Sequence, residues 1–171
     1  GQLHLGENGT AGELGHQIID MNGPKCGCGS RGCLEAFASG PAIVAMGIKA
    51  VVQGLTTNIG TLAEYNLNKI TPKLIYEAAM QGDEIANDIF IRAGFHIGIA
   101  AASTLATVGP RKIVIGGGVA QAGDLLLEPI RQTVRERFFI VPTKEFEIVQ
   151  AALGADAGLI GAALWACNLS P

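Results

Sequence analysis

A short segment near the N-terminus, residues 13–35, most restricts how this chain can fold. It contains three of the four cysteines, Cys26, Cys28 and Cys33, and it also contains His16. One imidazole and three thiolates form a common tetrahedral ligand set for zinc. Glycines between and beside the cysteines allow the backbone to wrap around an ion. The spacing therefore predicts a zinc-stapled loop.

Other uses of these cysteines are weaker interpretations. Four protein ligands leave no coordination position for an activated water, so the predicted zinc is structural and a zinc hydrolase is rejected. Disulfides are typical of small, cysteine-dense secreted domains, and this chain shows neither that density nor a secretion signal. Cys167 stands alone in an apolar C-terminal segment. We expect it to be a buried core thiol.

Composition limits the class of protein. The chain has 171 residues, close to one domain, and 49% of them are hydrophobic, enough for a sizeable core. The net charge of -3 argues against a nucleic-acid surface in this part of the protein. The apolar run over residues 97–108 is interrupted by Ser103 and Thr104. It is also shorter than the roughly 20 residues of a membrane span, so we expect a soluble, cytoplasmic protein.

Hydrophobic spacing predicts alternating strands and helices, and hence an α/β domain. Short strands are expected over residues 16–19, 112–115 and 146–149. Helices are expected from residue 34 to residue 52 in two pieces, after Thr71-Pro72, after Asp83 up to Gly109, and over residues 125–138 and 156–167. Residues 54–69 are expected to be a surface excursion.

Two carboxylates, Glu13 and Glu35, bracket the cysteine cluster. A glutamate is most often a solvated surface residue, and a carboxylate pair can also do acid–base work. Zinc bound between them would fix both positions, which favours a third interpretation. In this interpretation, the pair holds the hydroxyl groups of a sugar or polyol by hydrogen bonds.

A run of three glycines, Gly116, Gly117 and Gly118, follows a predicted strand and precedes a helix. Bare backbone at such a turn can approach a nucleotide. The run lacks the Walker pattern and is not GxGxxG. A simple tight turn is therefore an equal alternative from these residues alone.

Together these motifs resemble the signature of the ROK family of sugar kinases and repressors, with bacterial glucokinases as the nearest likeness. The matching pieces are Gly12-Glu13-Leu14-Gly15-His16, Cys26-Gly27-Cys28-Gly29, Gly32-Cys33-Leu34-Glu35, Ile115-Gly116-Gly117-Gly118-Val119 and residues 156–163. The resemblance covers essentially the whole chain, and its Cys/His/Glu block is highly specific.

The resemblance implies a ribonuclease H-like (actin-like ATPase) lobe and zinc on His16, Cys26, Cys28 and Cys33. It implies that Glu13, His16 and Glu35 bind hexose hydroxyls and that Gly116, Gly117 and Gly118 contact the adenosine of Mg-ATP. The family's Asp-x-Gly-Gly-Thr phosphate loop and its Asn-Asp pair, which includes the general base, have no match here. Residues 1–171 are therefore expected to be the C-terminal lobe of a two-lobe kinase, with no catalytic residue of their own.

The function implied is phosphorylation of a hexose, with glucose the leading substrate, by a full-length protein expected to form homo-oligomers. This chain alone is expected to be inactive. A sugar-responsive repressor with an N-terminal helix-turn-helix is the main rival, and a non-catalytic sugar-binding module is the second. The closing helix, residues 156–168, is expected to contact the N-terminal lobe. Without that lobe, its apolar side chains would pack differently or form an oligomer contact.

Overall fold

The computed structural model describes residues 3–140 and 142–168. Seven α-helices and two strands occur within them, so the chain has the α/β character that the sequence predicts. In chain order they are α1 (Glu35–Ala38), α2 (Gly40–Val52), α3 (Ile59–Leu62), α4 (Pro72–Met80), α5 (Glu84–Val108), β1 (Lys112–Ile115), α6 (Asp124–Arg137), β2 (Glu147–Gln150) and α7 (Ala157–Asn168). Short 3₁₀ turns occur at Leu14–His16, Leu67–Lys69, Val119–Ala122, Thr143–Glu145 and Gly154–Asp156.

Helix α5 is the centre of the core. Nine of its residues are buried, and α1, α2, α4 and α6 all pack against it. The approach of α6 is close because α5 carries glycine at the contact. A methyl group placed on Gly98 would lie 2.5 Å from Thr133 Cβ, and one on Gly94 would lie 2.8 Å from the Leu126 carbonyl oxygen. Small residues on one side of α5 therefore set the distance between the two helices.

The predicted helix starts are confirmed by their caps. The Thr71 side chain accepts a hydrogen bond from Leu74 N, and Asp83 accepts one from Ala86 N at 3.0 Å. These side chains satisfy backbone donors that have no partner within the helix. Helix α5 ends at Gly109, whose φ of 62° is left-handed and favours glycine.

The two strands pair in parallel, with Lys112 opposite Glu147 and Ile115 opposite Gln150. Helix α6 lies between them in sequence and is joined to β2 by a hydrogen bond from Arg131 Nε to the Ile148 carbonyl oxygen, at 3.1 Å. Because the strands are parallel, the glycine turn after β1 and the chain after β2 leave the sheet at the same end.

The expectation for residues 54–69 needs correction. This segment is more than a surface excursion, because Ile59 and Ala63 are fully buried.

The apolar run over residues 97–108 lies within α5, the helix expected after Asp83. Ser103 and Thr104 interrupt the run of apolar residues, but their side chains donate to carbonyls one turn back within the helix. The whole helix has 25 residues and by length and composition could cross a membrane, so the shortness of the run does not by itself exclude a span. Its burial against four other helices identifies it as a core helix.

The expectation that Cys167 is a buried core thiol is wrong, because Cys167 is exposed. Its helix, α7, packs mainly against the adjoining 3₁₀ turn Gly154–Asp156. The apolar side chains of α7 are exposed with it: Leu159 is 74% exposed, Leu164 61% and Trp165 43%. The helix is thus formed as predicted, but its apolar side chains are not buried in this chain.

Candidate functional site

The cysteine loop, residues 20–33, is a small folded unit. Its two halves meet at an isolated antiparallel bridge between Lys25 and Arg31, and Cys26 N donates to the Ser30 carbonyl oxygen at 2.8 Å. The expected strand over residues 16–19 is wrong. Leu14–His16 is a 3₁₀ turn, and Ile18 makes a single bridge to Cys33. The turn interrupts an extended run and brings the His16 ring back toward the cysteines.

Two glycines are required for this loop to close. Gly32 has a φ of 71°, and a methyl group on it would lie 1.6 Å from the Asp20 carbonyl oxygen. A methyl group on Gly23 would lie 2.8 Å from Gly32 Cα and 2.6 Å from Phe37 Cζ. The sequence indicates loop glycines in general. Only the structure shows that Gly23 and Gly32 are the positions without room for a side chain.

The four predicted metal ligands converge. One ligand atom from each of His16, Cys26, Cys28 and Cys33 lies within 4.8 Å of the others. Cys26 Sγ is 3.6 Å from His16 Nδ1, and Cys28 Sγ is 3.7 Å from Cys33 Sγ. Tetrahedral zinc requires separations of about 3.5 Å between nitrogen and sulfur and about 3.8 Å between sulfurs. These two separations match the tetrahedral values, so the ligand set is compatible with a zinc ion.

The two thiols of one pair differ in acidity. A hydrogen bond from the Ser30 backbone lowers the pKa of the Cys28 thiol. Burial raises the pKa of the Cys33 thiol to about 11. A metal ion binds thiolates, so binding must release the Cys33 proton. Metal affinity at this cluster is therefore expected to fall as the pH falls.

His16 faces two ways. Its Nδ1 is on the cysteine side, and its Nε2 lies 3.9 Å from Glu35 Oε2. Glu35 is the first residue of α1, directly after the loop, and both side chains are partly exposed. A carboxylate and the imidazole nitrogen that faces away from the cysteines are thus neighbours at the surface. Together they can exchange hydrogen bonds with a ligand rich in hydroxyl groups.

Glu13 lies on the same turn but in a different groove. Its carbonyl oxygen accepts from His16 N at 3.0 Å. Its exposed side chain lines a groove of about 340 Å³ whose described lining includes neither His16 nor Glu35. The other lining residues are Thr10, Gly12, Leu14, Gln17, Ser103, Thr104, Thr107 and Val108. The structure therefore brings two of the three predicted sugar ligands together and leaves Glu13 beside them.

The glycine turn after β1 borders a separate cavity of about 280 Å³. Gly118 lines it, and Gly117 has a left-handed φ of 89°. The remaining wall is mainly apolar and comes from α4, α5 and the following 3₁₀ turn: Pro72, Lys73, Tyr76, Phe90, Val119, Gln121 and Ala122. Sequence reasoning missed this wall because its members come from three distant segments and share no motif.

The chain is similar in sequence to known sugar kinases and repressors. Glucokinase from Thermotoga maritima is 37% identical over 168 residues, which cover 95% of this chain and 51% of that protein. The xylose repressor of Caldicellulosiruptor bescii is 31% identical over 160 residues, covering 94% of this chain and 40% of the repressor. The chain spans about half the length of the glucokinases it matches.

The fold has a close counterpart among solved structures. A ROK family glucokinase from Streptomyces griseus, crystallised with glucose and AMPPNP, superposes with a TM-score of 0.86 at 35% identity. The superposition covers 96% of this chain and 54% of that enzyme. The likeness supports the expected actin-like fold. The ROK family profile matches residues 1–168, and the chain belongs to the ROK family.

Proposed function

We propose that this chain is the sugar-binding and adenosine-binding C-terminal lobe of a longer hexose kinase, with glucose as the leading substrate. The observation that carries the proposal is the pairing of His16 Nε2 with Glu35 at 3.9 Å beside a complete zinc ligand set. The glucokinase relatives support the same function. A cytoplasmic, homo-oligomeric protein using Mg-ATP is part of the proposal.

The zinc in this proposal is structural. His16, Cys26, Cys28 and Cys33 would hold it, and it would supply rigidity rather than an activated water. Glu35 would then accept a hydrogen bond from one hexose hydroxyl. His16, which would carry its proton on Nε2 when Nδ1 binds the metal, would donate a hydrogen bond to another hydroxyl oxygen. Glu13 would approach the sugar from the neighbouring groove. Charged acceptors make strong hydrogen bonds of this kind. The sugar clamp is therefore built on a loop that the metal prevents from moving.

The reaction would transfer the γ-phosphoryl group of ATP to the hexose 6-hydroxyl. A bond forms between that oxygen and the γ-phosphorus, the bond to the bridging oxygen breaks, and ADP leaves. The hydroxyl proton would pass to a base in the preceding half of the protein. Phosphoryl transfer depends mainly on positioning and charge stabilisation. This chain would supply positioning, by the sugar clamp and by an adenosine seat on Gly116–Gly118 beside the apolar cavity.

The test is a coupled assay of ADP formation by the full-length protein with glucose and Mg-ATP. We expect activity in the full-length protein and none in the 171-residue chain. Glu35→Gln should raise the glucose KM by tenfold or more, about the effect of losing one charged hydrogen bond. Glu84→Gln, at an exposed glutamate of α5, is the matched control. Absence of activity with any common hexose would refute the proposal.

A sugar-responsive repressor is the second candidate, because the xylose repressor relative covers nearly the same residues of this chain. It predicts that the full-length protein binds DNA through a separate N-terminal domain and releases it when sugar binds. Mobility-shift titration with and without sugar separates the two candidates. Sugar-sensitive DNA binding without ADP formation would favour the repressor.

A further inference from the structure

Glu35 lies on a helix that is too short to hold its own orientation. Helix α1 has four residues, and Leu34 at its N-cap makes no side-chain capping bond. A single helical turn is unstable in isolation, so its direction must come from packing. The side chain of α1 that makes the clearest packing contact is Phe37, two residues after Glu35.

Phe37 stacks face to face on His96 of α5. The ring centroids are 4.4 Å apart, and the rings are inclined by only 17°. The His96 ring is itself fixed, because its Nδ1 lies 2.7 Å from the Arg92 carbonyl oxygen. A carbonyl oxygen only accepts, so Nδ1 carries the proton and donates. The ring that supports Phe37 is thus locked to the central helix.

A second contact on α5 supports His96 from the side. Phe95 meets the His96 ring edge to face, with centroids 5.4 Å apart. The Arg137 guanidinium at the end of α6 lies 5.2 Å from the Phe95 centroid. The stack therefore continues from α6 through α5 to α1.

The far edge of Phe37 contacts the cysteine loop. A side-chain atom on Gly23 would lie 2.6 Å from Phe37 Cζ, so the loop backbone closes directly over the ring. Phe37 therefore lies between α5 on one side and the cysteine loop on the other. A shift of this ring would move α1, and Glu35 with it, relative to His16.

We propose that His96 is a positioning residue for Glu35, acting through the stacked Phe37 ring. This inference rests on the proposed sugar site. His96 would not touch the sugar. Its role is to hold α1 so that the Glu35 carboxylate stays beside His16 Nε2. The hydrogen bond from His96 Nδ1 to the Arg92 carbonyl oxygen fixes the orientation of the His96 ring. A phenylalanine at this position could also stack on Phe37, but it could not form that hydrogen bond.

The experiment compares His96→Ala, His96→Phe and the control His4→Ala, an exposed histidine, in the full-length protein. Glucose affinity by calorimetry, nucleotide KM and zinc content are measured for each. His96→Ala should weaken glucose binding by about tenfold or more, the usual effect of a small misplacement of a binding group. Nucleotide KM and zinc content should not change, and His96→Phe should lie between His96→Ala and wild type.

Unchanged glucose affinity in His96→Ala would overturn the inference. Equal losses for glucose and nucleotide, with loss of zinc, would also overturn it by making His96 a general packing residue. If His96→Ala does not fold, Phe37→Leu, which keeps an apolar side chain but removes the stack, takes its place with the same criteria.

A crystal structure of the variant supplies a test without sugar. The Glu35-to-His16 Nε2 distance should exceed 3.9 Å. An unchanged distance would contradict the inference. Failure of the wild-type protein to bind glucose would refute the proposed function and leave this structural test intact.

Discussion

The cysteine loop, residues 20–33, and the helical core around α5 are ordered by different forces. The loop buries little apolar surface and depends on convergent ligand atoms and on glycines that no other residue could replace. The core depends on burial, with fully enclosed side chains such as Ile43, Phe90 and Ile130. We therefore expect that the proposed sugar clamp can be lost while the helical core survives.

The largest expected effect is on the loop, from loss of its metal. Cys28→Ser should reduce bound zinc from about one ion per chain toward none, because it removes one of the four ligands of the predicted tetrahedral site. Helical circular dichroism should remain near that of the wild type, because the core does not depend on the loop. Metal analysis and spectroscopy of the 171-residue chain measure both. Cys167→Ser, at the exposed cysteine outside the cluster, is the control. Full zinc content in Cys28→Ser would contradict the ligand set.

A second loop variant tests the backbone rather than the ligands. Gly32→Ala should destabilise the loop by more than about 4 kcal/mol, in the range that marks severe steric conflict. The cause is the 1.6 Å approach to the Asp20 carbonyl oxygen. Gly27→Ala, between two ligands but with open space around it, is the matched control and should bind zinc normally. Zinc affinity by chelator competition distinguishes them. Equal affinity in the two variants would show that the loop can rearrange.

The corresponding change in the core is Gly98→Ala. Overpacking typically costs about 1–3 kcal/mol of unfolding free energy, and here the added methyl would meet Thr133 Cβ at 2.5 Å. Gly161→Ala in α7 has open space, and its better helix propensity should stabilise that helix slightly. Urea unfolding of the 171-residue chain compares them. Zinc content should be normal in both, and loss of zinc in Gly98→Ala would break the separation of loop from core.

The sequence predicts the loop chemistry better than the loop geometry. Residue type and spacing identify His16 and the three cysteines because zinc accepts few ligand types. They also predict β1, α5 and the caps at Thr71 and Asp83, since these depend on local patterns. The 3₁₀ turn at Leu14–His16 is not predictable in this way, because it depends on the contact of the His16 ring with Cys26, ten residues later in the chain.

Long-range packing accounts for the other differences. The stack of Phe37 on His96 joins residues far apart in sequence, and no sequence motif indicates it. The cavity beside Gly118 likewise draws its wall from α4, α5 and a 3₁₀ turn. The apolar pattern of the last helix correctly predicts α7, but burial of Cys167 requires a partner surface that these residues do not provide.

A smaller loss of stability is expected from removing Asp83, which joins the start of α5 to residues 57 and 58. Asp83 accepts hydrogen bonds from Thr57 Oγ1, Asn58 N and Ala86 N. Burial would raise the pKa of its carboxyl, but these hydrogen bonds outweigh it and leave the pKa below the usual value. Asp83→Ala should cost about 0.5–2 kcal/mol, the value of a helix cap.

The pH dependence of that effect follows from the lowered pKa. The stabilisation is complete above the unfolded-state pKa of about 3.9 and is lost as the pH falls through the lower folded-state value. The difference between wild type and Asp83→Ala in urea unfolding should therefore be constant at neutral pH and shrink in acid. Glu84→Ala, the adjacent exposed acid, is the control. A difference that grew on acidification would contradict the assignment.

The smallest expected effect lies on α7. Leu164→Gln should change the stability of the 171-residue chain by no more than about 0.5 kcal/mol, because Leu164 is 61% exposed and makes few contacts to lose. Leu126→Ala, at a fully buried residue of α6, should cost about 2–5 kcal/mol and calibrates the assay. The same Leu164→Gln change in the full-length protein should be clearly destabilising if α7 packs against the preceding half. An equally small effect in both proteins would mean that the apolar side chains of α7 stay exposed there, and that the closing helix is not part of the joint between the lobes.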